Sequence, residues 1–182
     1  AMKRASKEGK LLIDLVAYAD MVSSSEFMNS EYNSLSYTNH FRIGGVKLNF
    51  DGSPQGKTAW LTLPYFHPPH GQPKSYLGYP TFKDEKAHQY VETAFQNDWQ
   101  VLTHSNGDAA IEQFIDAVAK ANEKLGKKDR RPVLIHGQTI RQDQIDRLAE
   151  LGIFPSLFPM HTFYWGDWHV ESVLGHPRAD CI

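Results

Sequence analysis

Lys47, His104 and His136 are the residues of this sequence most suited to chemistry, because each lies at or near the end of an apolar run. Glycine-rich turn residues follow each run. Runs of β-branched and aliphatic residues without alternation are typical of parallel strands buried on both faces. Since the carboxyl ends of parallel strands meet at one rim, we expect these side chains to converge there, as in a barrel of alternating strands and helices.

The three side chains suit a divalent metal ion. Neutral imidazole binds borderline metals well, and a bound ion lowers the pKa of water toward about 7 and polarises a substrate carbonyl. Burial of a lysine at a strand end lowers the pKa of its amine. A neutral amine can then add carbon dioxide and become an anionic oxygen ligand. The residues therefore predict a metal centre at which Lys47 is a candidate for carboxylation.

Each candidate also has a purely structural interpretation. A histidine at a strand end can simply be hydrogen-bonded there, and a lysine can extend its charge to the rim. For the ordered set of Lys47, His104 and His136 we favour metal binding. Asp51 and Asp108, each beside a glycine, fit better as residues that cap turns or helix starts. His161, after the last apolar run, is a candidate for substrate binding, although a surface position fits it equally well.

Strand and helix patterns alternate along the chain. We predict strands over residues 11–17, 43–50, 101–104, 133–136 and 153–158. Helical spacing predicts helices over residues 84–98 and 111–125, and a capping box at Thr139 and Gln142 begins a third that Gly152 ends. Short connections indicate a parallel sheet with right-handed crossovers. The predicted fold class is α/β, a partial (β/α) barrel of the TIM type with about five parallel strands and intervening helices.

Length and composition set the remaining expectations. The 182 residues fit a single domain but are short for an eight-stranded barrel, which typically has about 250. Within that domain, residues 51–82 are predicted to form a long rim loop and residues 160–182 a C-terminal loop segment with room for one short helix. A net charge of −2 without a basic cluster argues against nucleic acid as a partner. No apolar run reaches the roughly 20 residues that cross a bilayer, which argues against a membrane.

The cysteine content bears on the cellular compartment. Cys181 is the single cysteine, so an intrachain disulfide is excluded and a reducing cytoplasm is the expected location. We expect a small-molecule substrate as the principal partner.

Several motifs, in order, resemble amidohydrolase family 3, the branch of the metal-dependent amidohydrolases that includes N-substituted formamide deformylases. Within residues 40–175 they are Gly-Val-Lys47 with Asp51-Gly-Ser, His104-x-x-Gly-Asp108, Ile-His136-Gly-Gln and Pro-Ser-Leu-Phe-Pro-x-His161. The resemblance implies a (β/α) barrel with one or two divalent metals, often zinc, at its rim. It also implies hydrolysis of carbon–nitrogen bonds other than peptide bonds.

The same resemblance implies roles for individual residues. His104 and His136 correspond to the metal-binding histidines of the family's fifth and sixth strands, and Lys47 to a metal-bridging carboxylated lysine. The family's His-x-His pair is absent from this sequence. Neither Asp167 nor Asp180 ends a strand-like run, where the family's general-base aspartate would lie. We therefore predict the middle of a barrel with an incomplete active site, in which no general base is assigned.

Two functions from different classes follow. The first is a metal-dependent hydrolase. The alternative is a non-catalytic barrel fragment that self-associates. An incomplete barrel leaves unpaired strand edges and apolar surface exposed, so we expect a homo-oligomer.

Overall fold

A five-stranded parallel sheet organises the protein. The computed structural model describes the backbone of residues 1–182 and every side chain except that of Cys181, so the expectation for this thiol lies outside the described residues. The strands are β1 (Leu15–Asp20), β2 (Phe41–Asn49), β3 (Gln100–Ser105), β4 (Val133–His136) and β5 (Phe154–Leu157). They lie side by side in chain order, and every neighbouring pair is parallel. The predicted strand number and direction are confirmed.

Helices occupy three of the four connections between strands. The helices are α1 (Met2–Lys7), α2 (Asp84–Gln96), α3 (Asp108–Leu125), α4 (Gln142–Leu151) and α5 (Met160–Trp168). The helices α2, α3 and α4 precede β3, β4 and β5, as predicted. The connection from β1 to β2 differs, since its only helical element is a 3-10 turn, Ser25–Asn29.

The core lies between one face of the sheet and the helices α2 and α3. Both helices bury the apolar positions that their spacing predicts, and burial of each large side chain contributes about 1.5–3 kcal/mol. The buried residues of the two helices include Ala87, Val91, Ala94, Phe95, Ile111, Phe114, Ile115 and Val118. The other face of the sheet is only half buried, as the alternating burial of β3 shows. The expectation of strands buried on both faces is therefore wrong for this strand.

The first strand begins later than predicted. Pairing with β2 starts at Leu15, opposite Phe41, and runs to Asp20. Of the apolar residues before it, Leu12 is 93% exposed. Asp14, also before the first paired residue, lies outside the strand, and its Oδ1 atom is hydrogen-bonded to the Nδ1 atom of His40 at 2.8 Å. The apolar run of residues 11–13 thus lies outside the sheet.

The start of α4 also differs from the prediction. The helix is preceded by Arg141, whose N–H donates to the side-chain oxygen of Gln144 at 3.1 Å. Thr139 does not cap it, because its hydroxyl donates to the carbonyl of Asn106 at 3.0 Å. Gly152 ends the helix with a φ of +66°, a left-handed conformation that glycine adopts readily.

Residues 51–82 contain no helix or strand in the described backbone, as predicted, and they pack against the C-terminal segment. That segment contains more helix than predicted, since α5 continues into a π-helical turn, His169–Val173, and a 3-10 turn, Arg178–Cys181, follows. The segment contacts the rim loop, where the N–H groups of Phe66 and His67 donate to the carbonyls of Val173 and Ser172, both at 2.9 Å. That all 182 residues form a single domain stays a prediction. Among the described helices, none combines the length and apolar character needed to cross a bilayer.

Candidate metal centre

Lys47 and His104 project from the half-buried face of the sheet. Their strand neighbours Val46 and Val101 are buried in the helix-side core, and successive side chains of a strand point to opposite faces. In the parallel register, Lys47 lies opposite Leu102, two residues before His104. The two candidates therefore lie on one face, near the carboxyl end of the sheet.

His136 reaches this face through an unusual backbone. It ends β4, opposite Ser105, and has a φ of +78°, followed by Gly137 at +59°. A left-handed conformation at a non-glycine residue costs on the order of 1–3 kcal/mol and is often found at functional sites. Here it turns the chain at the last paired residue of the strand.

The structure brings His104 and His136 together. Their ring centroids are 4.8 Å apart, and the rings meet edge to face at 81°. This is the convergence that the strand ends predict, and it places two imidazoles within reach of a single ion.

The hydrogen bonds of His104 define which ring nitrogen is available. Its Nε2 atom lies 2.7 Å from the carbonyl oxygen of Gly52. A carbonyl only accepts, so Nε2 carries the proton and donates, which leaves the lone pair on Nδ1. Asn106 donates to the same carbonyl at 2.8 Å through Nδ2, which also lies 3.0 Å from the Nε2 atom of His104.

Both rings are held in the neutral form that binds metals. Burial lowers the pKa of His104. Burial also lowers the pKa of His136 to about 4, with further contributions from the charges of His104, Lys47 and His161. At neutral pH both imidazoles therefore carry a free lone pair.

The charge of Lys47 contributes to lowering the pKa of both His104 and His136. Burial lowers the pKa of its own amine to about 8, against the opposing charge of Asp20. Its Nζ atom donates to the carbonyl of Leu48 and to Oδ1 of Asn49, both at 2.9 Å. At neutral pH a larger fraction of the Lys47 amine is therefore neutral than for a lysine in water. The neutral amine is the form that reacts with carbon dioxide.

Asp51 and Asp108 hold loops, as their positions beside glycines predict. The carboxylate of Asp51 accepts three backbone N–H bonds, and burial raises its pKa to about 6. Asp108 lies in the first turn of α3 and accepts hydrogen bonds from the backbone and hydroxyl of Thr62 in the rim loop.

His161 is more enclosed than the sequence suggests, with only 4% of its surface exposed. Its Nε2 atom lies 3.1 Å from Oε1 of Gln55, and its Nδ1 atom lies 2.8 Å from Nε2 of His169. The ring of Phe158 separates it from His136, with centroid distances of 5.8 and 6.3 Å. Substrate contact by His161 stays a prediction, and it requires one of these bonds to open.

Three contributors were missed at the sequence level: Gln55, Asn106 and His169. Asn106 follows His104 by two residues, a spacing that points both to one side of a strand, so this signal was present in the sequence. His169 follows His161 by eight residues, about two helical turns, and the two rings stack at 4.8 Å. Gln55 gave no signal of this kind.

The donor set fits part of a metal coordination sphere. Two neutral imidazoles are adjacent, and one has an unbonded Nδ1 atom. Among the described residues, no group of three or more His, Cys, Asp or Glu is arranged to hold a metal ion. A third protein ligand would therefore be Lys47. Neither Asp167, in α5, nor Asp180, which bonds His176 at 2.7 Å, ends a strand.

Comparison with curated proteins identifies relatives of this chain. It is 32% identical over 139 residues to YtcJ of Bacillus subtilis (strain 168), whose provisional name is amidohydrolase, and 31% identical over 137 residues to LONG AFTER FAR-RED 3 of Arabidopsis thaliana. These matches cover 76% and 75% of the chain. They cover only 25% and 22% of the relatives, so the chain spans about a quarter of their length.

Comparison with solved structures also finds proteins that are similar to this chain over part of their own length. Two uncharacterised metal-dependent hydrolases, from Pyrococcus furiosus and Pyrococcus horikoshii OT3, superpose with TM-scores of 0.78 and 0.76, each at 26% identity. The superpositions cover 100% and 95% of this chain, and 36% and 33% of those chains. A model of the amidohydrolase family matches residues 1–182 in full. Because this match spans the whole chain, the chain belongs to the amidohydrolase family.

Proposed function

We propose that the chain contributes the metal-binding rim of a metal-dependent hydrolase that acts on carbon–nitrogen bonds other than peptide bonds. The observation that carries this proposal is the 4.8 Å approach of the His104 and His136 rings on neighbouring strands. Family membership supports it, because the similar Pyrococcus structures are described as metal-dependent hydrolases.

In this proposal His104 and His136 hold the divalent ion, and zinc is the metal we propose because it accepts imidazole ligands readily. When bound, such an ion polarises a carbonyl and makes water a better nucleophile at neutral pH. The residues of the chain hold and orient the ligands. Gly52 fixes the ring of His104, while Leu102 and Ile135, on the half-buried face of the sheet, offer an apolar wall to a small-molecule substrate.

Lys47 is proposed as the third ligand after carboxylation. Its amine has the lowered pKa, about 8, that this reaction needs. His161 is proposed as a substrate-side residue that becomes accessible when α5 moves away from Gln55.

The alternative function is a non-catalytic barrel segment that self-associates. It is favoured by the sheet edge at β5, where Phe154 is 64% exposed and Leu157 is 57% exposed. A homo-oligomer that covers this edge is part of both proposals. A cytoplasmic location is proposed on the single cysteine alone.

Zinc binding separates the two functions. We expect the purified chain to bind about one zinc ion, measured by elemental analysis and calorimetry, as the donor set of a single site requires. His104→Ala and His136→Ala should each abolish binding. His70→Ala, which removes an exposed imidazole from the rim loop, is the matched control and should change nothing.

Activity is tested on the same proteins with a panel of N-substituted amides, N-formyl compounds and cyclic amides. Hydrolysis that requires zinc and is lost in His104→Ala supports the hydrolase. A folded chain that binds no zinc supports the non-catalytic alternative.

A further inference from the structure

Asp51 is a buried carboxylate for which the proposed chemistry has no direct use. Its side chain has no exposed surface. Its Oδ2 atom accepts the N–H groups of Trp60 at 3.0 Å and Gly107 at 2.8 Å, and its Oδ1 atom accepts that of Asn106 at 2.9 Å. These donors come from two segments, the rim loop and the turn between β3 and α3. Asp51, the first residue of the rim loop, therefore holds a later part of that loop and the turn between β3 and α3 close to the end of β2.

The next residue, Gly52, supplies the carbonyl that holds His104. This oxygen accepts from Nε2 of His104 at 2.7 Å and from Nδ2 of Asn106 at 2.8 Å. The backbone of Gly52 packs closely on Thr58, since a Cβ atom there would lie 2.1 Å from its Oγ1 atom. Because Asp51 bonds the N–H of Asn106, it fixes both the residue that presents the carbonyl and the amide that shares it.

We propose that Asp51 and Asn106 are positioning residues for the metal centre. They hold the carbonyl of Gly52 in place, so that Nε2 of His104 always carries the proton and Nδ1 is the nitrogen offered to the metal. Metal-binding histidines usually donate their second N–H to a carbonyl or carboxylate in this manner. The role of these residues in metal binding rests on the proposed function. Which ring nitrogen of His104 carries the proton can be measured without any metal.

A simpler role for Asp51 would be to stabilise the two loops and nothing else. Both roles predict that Asp51→Asn lowers stability, because an amide NH₂ replaces one acceptor oxygen among three N–H donors. They differ at His104. If Asp51 only stabilises the loops, the ring of His104 stays in the same neutral form in the folded variant. If Asp51 positions the ring, the variant changes which of the two ring nitrogens carries the proton.

The test uses the metal-free chain labelled with ¹⁵N-histidine, with long-range ¹H–¹⁵N spectra that report both ring nitrogens of His104. In the wild-type chain we expect only the Nε2–H form, with a slowly exchanging ring proton. In Asp51→Asn and in Asn106→Ala we expect a mixture of the two neutral forms and fast exchange of that proton.

Asp108→Asn is the matched control. This carboxylate also accepts a rim-loop N–H, that of Thr62 at 2.9 Å, but it has no contact with His104. Its variant should keep the wild-type spectrum of His104, although it loses stability. If Asp51→Asn does not fold, Asn106→Ala decides, because it removes only a side-chain amide. A wild-type His104 spectrum in the folded variants would overturn the inference.

Calorimetry with zinc is the second readout. Loss of a residue that orients a metal ligand typically weakens binding about 10- to 100-fold, and we expect Asp51→Asn and Asn106→Ala to fall in this range. Asp108→Asn should bind as the wild type does. If the wild-type chain binds no zinc, the proposed function fails, while the spectra of His104 still decide whether these residues position the ring.

Discussion

At the scale of single residues, burial and hydrogen bonding determine what the rim can do. The same burial that makes charge costly on His136 and Lys47 produces the neutral forms that metal binding and carboxylation need. It also acts beyond the proposed ligands. His169 is only 1% exposed, and burial together with the charge of His161 lowers its pKa to about 4.

The buried ring of His169 predicts a pH dependence of stability. The unfolded chain binds a proton at this residue near pH 6.5, whereas the folded ring does so only near pH 4. Between these values the unfolded state binds more protons, so the free energy of unfolding decreases as the pH falls from 6.5 to 4. Denaturant titrations across this range should show that His169→Gln has a shallower decrease, by on the order of 1–2 kcal/mol after allowance for solvent screening.

His70→Gln is the control for that series, since His70 is exposed in the rim loop. It should keep the wild-type slope. An equal slope in the His169→Gln variant would mean that this ring titrates normally in the folded chain.

At the scale of elements, close backbone approaches hold the rim loop against the sheet. Gly107, just before α3, lies against the rim loop, where a Cβ atom would be 1.9 Å from the carbonyl oxygen of Trp60. Gly107 also donates its backbone N–H to the carboxylate of Asp51. A glycine is therefore required by contact at this position, and not by a left-handed backbone.

Gly107→Ala is predicted to destabilise the chain by about 1–3 kcal/mol, the usual cost of forcing extra atoms into a packed site. The rim loop must move away to admit the methyl group, so zinc binding should weaken as well. Thermal unfolding and calorimetry measure the two effects.

Gly166→Ala provides a contrast within α5. There the nearest atom to the added methyl group would be Cγ2 of Thr162 at 3.9 Å, an ordinary contact. Because alanine favours helices over glycine by up to about 1 kcal/mol, this variant should be neutral or more stable. Equal destabilisation by both substitutions would contradict the account of the rim loop.

The sequence predicts some elements well, for reasons that lie in their residues. Helices α2 and α3 show apolar residues at helical spacing because one side of each packs on the sheet. The aromatic residues of α5 have no such stripe, since Phe163 and Tyr164 are exposed while His161 is buried. The sequence therefore indicates only a loop with room for one short helix in this segment, and gives no bounds for α5. The positive φ of His136 and the bonds of Asn106 depend on contacts between distant segments, which residue patterns do not report.

At the scale of the whole molecule, the chain is a parallel sheet with helices packed on one face and a half-buried second face. One of the two edge strands, β5, exposes all four of its residues. Exposed edge strands are common sites of association, which supports the proposed homo-oligomer.

Leu157→Lys is predicted to shift the chain toward the monomer, because a charged residue at a strand edge opposes pairing with another strand. Sedimentation velocity at micromolar concentration measures the change. Leu12→Lys, at an exposed residue outside the sheet, should leave the association unchanged. A wild-type chain that sediments as a monomer would contradict the proposal of self-association.

The most direct test of the metal centre is anomalous diffraction from a crystal of the zinc-loaded chain. We predict one strong peak about 2.0–2.1 Å from a ring nitrogen of His104 and of His136, the usual zinc–imidazole distance. A zinc peak that lies away from these two rings, or no peak in a crystal that retains the fold, would contradict the assignment of this rim as a metal centre.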